Sequence, residues 1–311
     1  MKIQKKAREI LLIILLFLAL TVLYLFPLTQ GLVLLPLDML ISNYSPWYAP
    51  AQILVKNPYM QDSIAQLYPW KHLVFQTLLH GTIPFWNPYQ FMGMPFMAGM
   101  KPMVFYPLNI LYFLGEANGW NALLFLQVFL SAIFMYLLSR SFKLRVLPSI
   151  LASFAFTLNT LMIGVLEFGS DGHVLLWLPF LIFCAKKYLE KQKGIYLLLL
   201  GTTIAISIFA GQLQYTGYSL ILLTAFIFYY GHTLKTRPTS FSLLLLSIIL
   251  GVGISSIQLI PSFELYAHSF RGVIDSHHAF SIGLNKPYQL FRLFAPDFFG
   301  NPVTRDARFG L

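Results

Sequence analysis

The feature that most constrains this chain is the apolar run at 10–26, preceded by the basic cluster Lys2, Lys5, Lys6 and Arg8. A helix of that length and composition satisfies all its backbone groups internally, as the hydrocarbon core of a bilayer demands. Further apolar segments follow at about 119–139, 146–165, 174–189, 194–211, 214–232 and 241–262. Together they predict an all-α polytopic membrane protein with about seven transmembrane helices. The chain is 57% hydrophobic and 10% charged over 311 residues, whereas soluble domains carry roughly 25% charged residues. The first run has no small-residue cleavage site, and mostly apolar residues continue to Leu37, so it reads as an uncleaved signal anchor. The apolar run 105–114 is too short to span and predicts an interfacial or re-entrant helix.

A net charge of +10 raises the question of nucleic acid. The placement of the charges answers it. Basic residues cluster in alternate connections: the N-terminus, then Arg140, Lys143 and Arg145, then Lys186, Lys187, Lys191 and Lys193, then Lys235 and Arg237. The excess of Lys and Arg on cytoplasmic loops puts the N-terminus in the cytoplasm. Glu9 and Glu190 are the only acidic residues on that side. The charge is topological, and no nucleic-acid partner is implied. The segments carry no ionisable residue at mid-span, which counts against ion-coupled transport. Gln127, Asn159 and Gln258 are the main polar residues within them and predict helix–helix hydrogen bonds. The single cysteine, Cys184, excludes a disulfide framework.

Four regions follow: 1–30, a cytoplasmic N-terminus and first span; 31–118, a large first extracytoplasmic loop with short helices; 119–262, spans two to seven; and 263–311, an extracytoplasmic segment. The last ends without a closing helix, so the chain reads as the N-terminal part of a longer protein. The first loop is rich in Trp, Tyr and Pro and reads as a folded cap. Trp86, Asn87, Pro88 and Tyr89 are expected to pack against 105–114.

The candidate chemistry is concentrated on the outer side. Asp38 closely follows the first span, and Asp62 opens a helix-like stretch at 62–79, where it is also expected to cap free amides. Either carboxylate is placed to act as a general base. Gln66 and Trp70 follow Asp62 at helical spacing and share its face. Tyr68 and Trp70 equally fit an aromatic belt at the headgroup level. Asp171 and His173 lie in the loop Gly169-Ser170-Asp171-Gly172-His173, a candidate ligand contact or a solvated turn. Lys101, Arg271 and Arg292 suit phosphate or headgroup contact. His277 and His278 lack the further spaced ligands of a zinc site, so no metal site is assigned.

The series Asp62-x3-Gln66-x-Tyr68-Pro69-Trp70, Gly81-x2-Pro84-x-Trp86-Asn87-Pro88-Tyr89-x-Phe91-x-Gly93-x-Pro95 and Phe105-Tyr106-Pro107 resembles the bacterial YfhO-like membrane proteins. These are similar to the GT-C class of glycosyltransferases. Weaker similarity runs through Asp171-Gly172-His173 and Gly211-Gln212-Leu213-Gln214-Tyr215. The resemblance implies a GT-C-like fold in the bacterial cytoplasmic (inner) membrane. It implies sugar transfer from a polyprenyl-phosphate donor to a glycan or teichoic-acid-like acceptor on the outer face. Asp62 or Asp38 would be the catalytic acid residue of the first outer loop. Gln66, Tyr68, Trp70, Trp86, Asn87, Tyr89, Lys101, Asp171, His173, Gln214, Arg271 and Arg292 would contact substrate. A divalent cation, Mg or Mn, is a possible cofactor. The alternatives are a lipid-linked glycan transporter or flippase and a non-catalytic envelope assembly protein.

Overall fold

The computed structural model describes residues 2–48, 55–57, 60–269, 287–295 and 298–300, and of residues 2–7, 292 and 293 only the backbone. The chain is mostly helical. Helix α1 (Lys2–Tyr24) leads into a segment of short elements, which holds α2 (Asp38–Asn43), a π-helical turn (Ser63–Leu67) and α3 (Tyr68–Leu79). A small hairpin follows, β1 (Trp86–Asn87) with β2 (Met94–Pro95), then a 3-10 turn (Pro107–Leu114). The remaining helices are α4 (Glu116–Ser141), α5 (Val146–Thr157), α6 (Thr160–Gly164), α7 (Asp171–Leu175), α8 (Leu178–Lys191), α9 (Gly194–Phe209), α10 (Leu213–Thr233), α11 (Pro238–Ile254) and α12 (Ser256–Ala267).

Among the described residues, two helical stretches are long and apolar enough to cross a membrane, α4 and the joined α7–α8 over Asp171–Lys191. The number is four if each of two bent pairs forms one span: Val146–Thr157 with Thr160–Phe168, bent by 44°, and α11 with α12, bent by 67°. Asn159 caps α6, its Oδ1 accepting from the Met162 amide at 2.9 Å, so a new helix starts where the sequence suggested one continuous span. Ser255, at the break between α11 and α12, bonds back to the Gly251 carbonyl at 2.9 Å.

The helices pack on small residues. A Cβ added at Gly251 would lie 2.5 Å from the Gly201 carbonyl oxygen, so α9 and α11 approach to near backbone contact. Leu200, Ile204 and Leu244 fill the adjoining core with Leu181, Cys184 and Leu223. At the other end of α8, Lys186 is buried. Its ammonium donates to the Ser141 carbonyl at 2.9 Å and to Glu190, and lies 4.7 and 5.1 Å from the Phe142 and Tyr230 rings. Glu9 of α1 pairs with Arg140 of α4 at 2.9 Å.

The segment of short elements before α4 is wedged into the helices as a cap. Met103, Tyr106 and Tyr112 share a core with Leu123 of α4, Val174 of α7 and Ala210 after α9. The two Glu116 carboxylate oxygens at the start of α4 hold His72 Nδ1 at 2.8 Å and Gln76 Nε2 at 2.9 Å, which fixes α3. The cap core is Val74, Phe96, Met97 and Val104. It does not contain the Trp and Tyr expected there: Trp86 is 56% and Tyr89 82% exposed. The reason is the alternation of a strand, which turns Asn87 inward and Trp86 outward.

Lys71 is also buried in this cap, 3% exposed, with Nζ 3.1 Å from Asn109 Oδ1. Burial strips water from the ammonium and pushes its pKa down from 10.5 to about 7. The unfolded chain therefore holds this proton up to about pH 10.5 while the folded chain releases it near 7. Between those values the unfolded state binds more protons, so the Lys71 contribution to stability rises with pH across that window. Lys71→Met is expected to melt higher than the parent below pH 7, with an advantage that shrinks as pH approaches 10.5. Thermal melts in detergent across that range check this, and a difference independent of pH counts against a desolvated amine.

Candidate functional site

A cleft of about 860 Å³ opens between the cap and α12. One wall is the face of the π-turn and α3 that carries Asp62, Gln66, Leu67 and Trp70. The helical spacing seen in the sequence thus aligns Asp62, Gln66 and Trp70 on one surface. A π-turn inserts a residue into the helical ladder and is frequent at functional sites. Here Ser63 anchors it, its Oγ donating to the Glu167 carbonyl at 2.9 Å. The helix-cap role expected for Asp62 is not found. Its backbone is already helical and its carboxylate caps no amide, accepting instead from Gln66 Nε2 at 3.3 Å. Asp62 is exposed at the cleft edge.

The cleft floor is electrostatic. Lys101 Nζ pairs with Asp171 Oδ1, and Ser170 Oγ donates to the same oxygen at 3.0 Å. The Lys101 and Asp171 side chains are 29% and 11% exposed, so the pair sits partly out of water. Among the described lining residues Lys101 is the one cation, and Asp62 and Asp171 are the carboxylates. The opposite wall is amphipathic, with Leu213, Leu259, Phe263 and Tyr266 beside Gln212, Ser262 and Ser269. Gln258 ties this wall to the cap, its Nε2 donating to the Met97 carbonyl at 2.6 Å.

Trp70 is oriented from outside the cleft. Its indole Nε1 donates to Gln90 Oε1 at 2.7 Å, and Asn87 Nδ2 donates to the same oxygen at 3.2 Å. Asn87 Oδ1 accepts from the Tyr89 amide at 2.9 Å. Asn87 therefore acts through Gln90 and Trp70, while Trp86 and Tyr89 stay on the exterior.

Beneath the floor lies a buried polar layer. Trp177 Nε1 donates to the Tyr106 hydroxyl at 3.3 Å, and that hydroxyl lies 3.0 Å from His173 Nδ1. Burial raises the Tyr106 pKa above its ordinary range. The phenol thus stays protonated, and its hydroxyl and His173 Nδ1 share one hydrogen bond. His173 is fully buried and lines no part of the cleft, unlike Asp171 two residues before it.

The other predicted residues lie elsewhere. Asp38 Oδ2 accepts from the Lys56 amide at 2.8 Å and does not line the cleft. Tyr68 packs edge-on against Trp120, with ring centroids 5.5 Å apart. Gln214 is exposed and donates to the Tyr218 hydroxyl at 2.8 Å. Arg271 lies outside the described residues, as does the side chain of Arg292. Among the described residues no group of three or more His, Cys, Asp or Glu is arranged to hold a metal. Sequence reasoning missed Gln90, Lys71, Ser262 and Tyr266. Lys71 was findable as the one charged residue within a largely apolar helix. Ser262 was hidden because 241–262 read as one uninterrupted span, and Tyr266 because it fell in the segment read as following that span. Comparison with known proteins gives no match to any family model, curated protein or solved structure.

Proposed function

We propose that the cleft is the active site of a membrane glycosyltransferase. It moves a sugar from a polyprenyl-phosphate donor to a cell-envelope acceptor, such as a teichoic-acid-like polymer, on the outer face of a bacterial cytoplasmic membrane. In this reading the chain crosses the membrane seven times, starting from a cytoplasmic N-terminus. The observation that carries the proposal is the convergence of Asp62, Gln66, Trp70, Lys101 and Asp171 in one cleft whose amphipathic far wall includes Leu213, Leu259 and Phe263. Such a cleft suits a ligand with a sugar, an anionic phosphate and a long apolar tail.

The chemistry would be an inverting displacement. Asp62 takes the proton of an acceptor hydroxyl, whose oxygen then bonds to the anomeric carbon. The bond from that carbon to the phosphate oxygen breaks, and the lipid phosphate leaves with the electron pair. Lys101 meets the added charge once the phosphate displaces Asp171 from it. Trp70 offers a ring face to the sugar. Magnesium or manganese fits the donor set only in part. Asp171 is held by Lys101, which leaves Asp62 as a carboxylate for an ion otherwise completed by water and substrate phosphate. Such an ion would neutralise phosphate charge, a task Lys101 already serves.

A second reading draws on the 67° break between α11 and α12 at the cleft wall. Broken helices line the substrate sites of many transporters. A flippase would move lipid-linked glycan without breaking its glycosidic bond, so the fate of that bond separates the two.

Membranes containing the protein, supplied with radiolabelled polyprenyl-phosphate sugar, are expected to pass label into polymer. Asp62→Asn keeps the side-chain shape, and no helix cap is lost. Transfer should nevertheless fall by roughly a hundredfold or more, the lower end of what general-base catalysis contributes. Near-normal transfer by that variant would remove Asp62 from the reaction and turn attention to Asp38.

Orientation is tested separately. Reporters fused after Arg145, Lys193 or Arg237 should read cytoplasm, and one at Gly81 should read the outside. A cytoplasmic signal at Gly81 would put the cleft on the wrong side for a lipid-borne donor.

A further inference from the structure

The stretch 81–100 contains no charged residue. Within it the β1–β2 hairpin exposes Phe85, Trp86, Tyr89, Phe91 and Met92, the last three at 82%, 86% and 103%. Soluble surfaces rarely expose so much contiguous apolar side chain. The arrangement is held in place. Phe91 and Met92 adopt left-handed backbone angles, φ 52° and 59°, which bulky residues seldom take. Gly93, at φ 114°, lies flat under Trp86: a Cβ there would sit 2.6 Å from the indole nitrogen. One face of Trp86 is thereby pinned and the other is turned outward.

The side-chain amides of the hairpin face the opposite way. Gln90 Oε1 accepts from both Trp70 and Asn87, and Asn87 Oδ1 accepts from the Tyr89 amide. A tip with its side-chain amides engaged inside offers little to a glycan, which needs hydrogen bonds as well as ring faces. Without charge it offers little electrostatic guidance to a soluble partner. The same cap exposes Ile110, Phe113 and Leu114 at 68%, 61% and 63% in the turn that runs directly into α4. Since α4 is long and apolar enough to cross a membrane, that turn continues the apolar surface from the span onto the cap.

We propose that the hairpin tip, Phe85 to Met92, dips into the headgroup–acyl boundary of the bilayer and anchors the cap there. Trp and Tyr favour that level because one end of the ring system is apolar and the other polar. Through Gln90 the anchored tip would fix Trp70, and with it one wall of the cleft, relative to the lipid surface. The proposal stands independently of the sugar-transfer reading.

Met92→Cys tests it with little risk to folding, because the side chain is fully exposed. The parent serves as blank, since its Cys184 is buried. The variant is labelled with an environment-sensitive nitrobenzoxadiazole dye. It is then reconstituted in vesicles of phosphatidylethanolamine and phosphatidylglycerol, with or without lipids carrying a nitroxide high on the acyl chain. Lys193→Cys, in an exposed charged turn, is the control. The expected result is that nitroxide lipid removes most of the emission at position 92 while aqueous iodide does not, with the reverse at 193. Quenching at 92 by iodide and not by nitroxide lipid overturns the proposal. So does protection from both quenchers that disappears when the protein is diluted in the vesicles, which would indicate contact between copies of the chain. Phe91→Cys repeats the measurement one residue away.

Discussion

An irregular backbone can lie against membrane helices only if its carbonyls find donors, and two side-chain amides meet that requirement here. Asn109 Nδ2 donates to the Met103 carbonyl at 2.6 Å and the Val104 carbonyl at 3.3 Å, while its oxygen accepts from Lys71. Gln258 supplies the Met97 carbonyl from α12. Unpaired, each of these buried groups would cost about 1–3 kcal/mol. With them in place the segment from Met97 to Leu114 seats Met103 and Tyr106 among α4, α7 and α9. The position of Lys101, and so of the cleft floor, follows from that seating.

Two opposite treatments of lysine stand side by side in the cap. Lys71 is buried against the amide oxygen of Asn109 and has its proton loosened. Lys101 keeps a carboxylate partner and partial access to water. In a partly desolvated setting a pair such as Lys101 and Asp171 is a poor source of stability, because each charge gives up hydration for the other.

The cleft joins parts of the chain with unlike mechanical characters. The π-turn and α3 are fixed to the helices by Ser63 and by Glu116. The far wall, α12, follows a sharp break and is held to the cap chiefly through Gln258. The hairpin governs neither wall directly, but one hydrogen bond from Trp70 to Gln90 connects it to the first. The cap therefore rests on a small number of side-chain hydrogen bonds between elements. Those bonds replace the regular ladder that the membrane helices provide for themselves.

The sequence by itself determined that this is a helical, membrane-associated chain, because apolar length and backbone satisfaction leave few other folds open. It also determined that Asp62, Gln66 and Trp70 share a face, since helical periodicity is a local property that survives even a π-turn. Tertiary structure alone decided which residues meet them. Lys101 and Asp171 are 70 residues apart and pair only because the cap is wedged between helices. It decided that His173 is buried while Asp171 lines the cleft, which depends on how one helical turn sits against its neighbours. It decided that Trp86 and Tyr89 face outward, because two-residue strands fix alternation too briefly for the sequence pattern to reveal it. And it turned 241–262 from a single span into a bent pair, since hydropathy records the apolar length of a segment and not the direction of its helix axis.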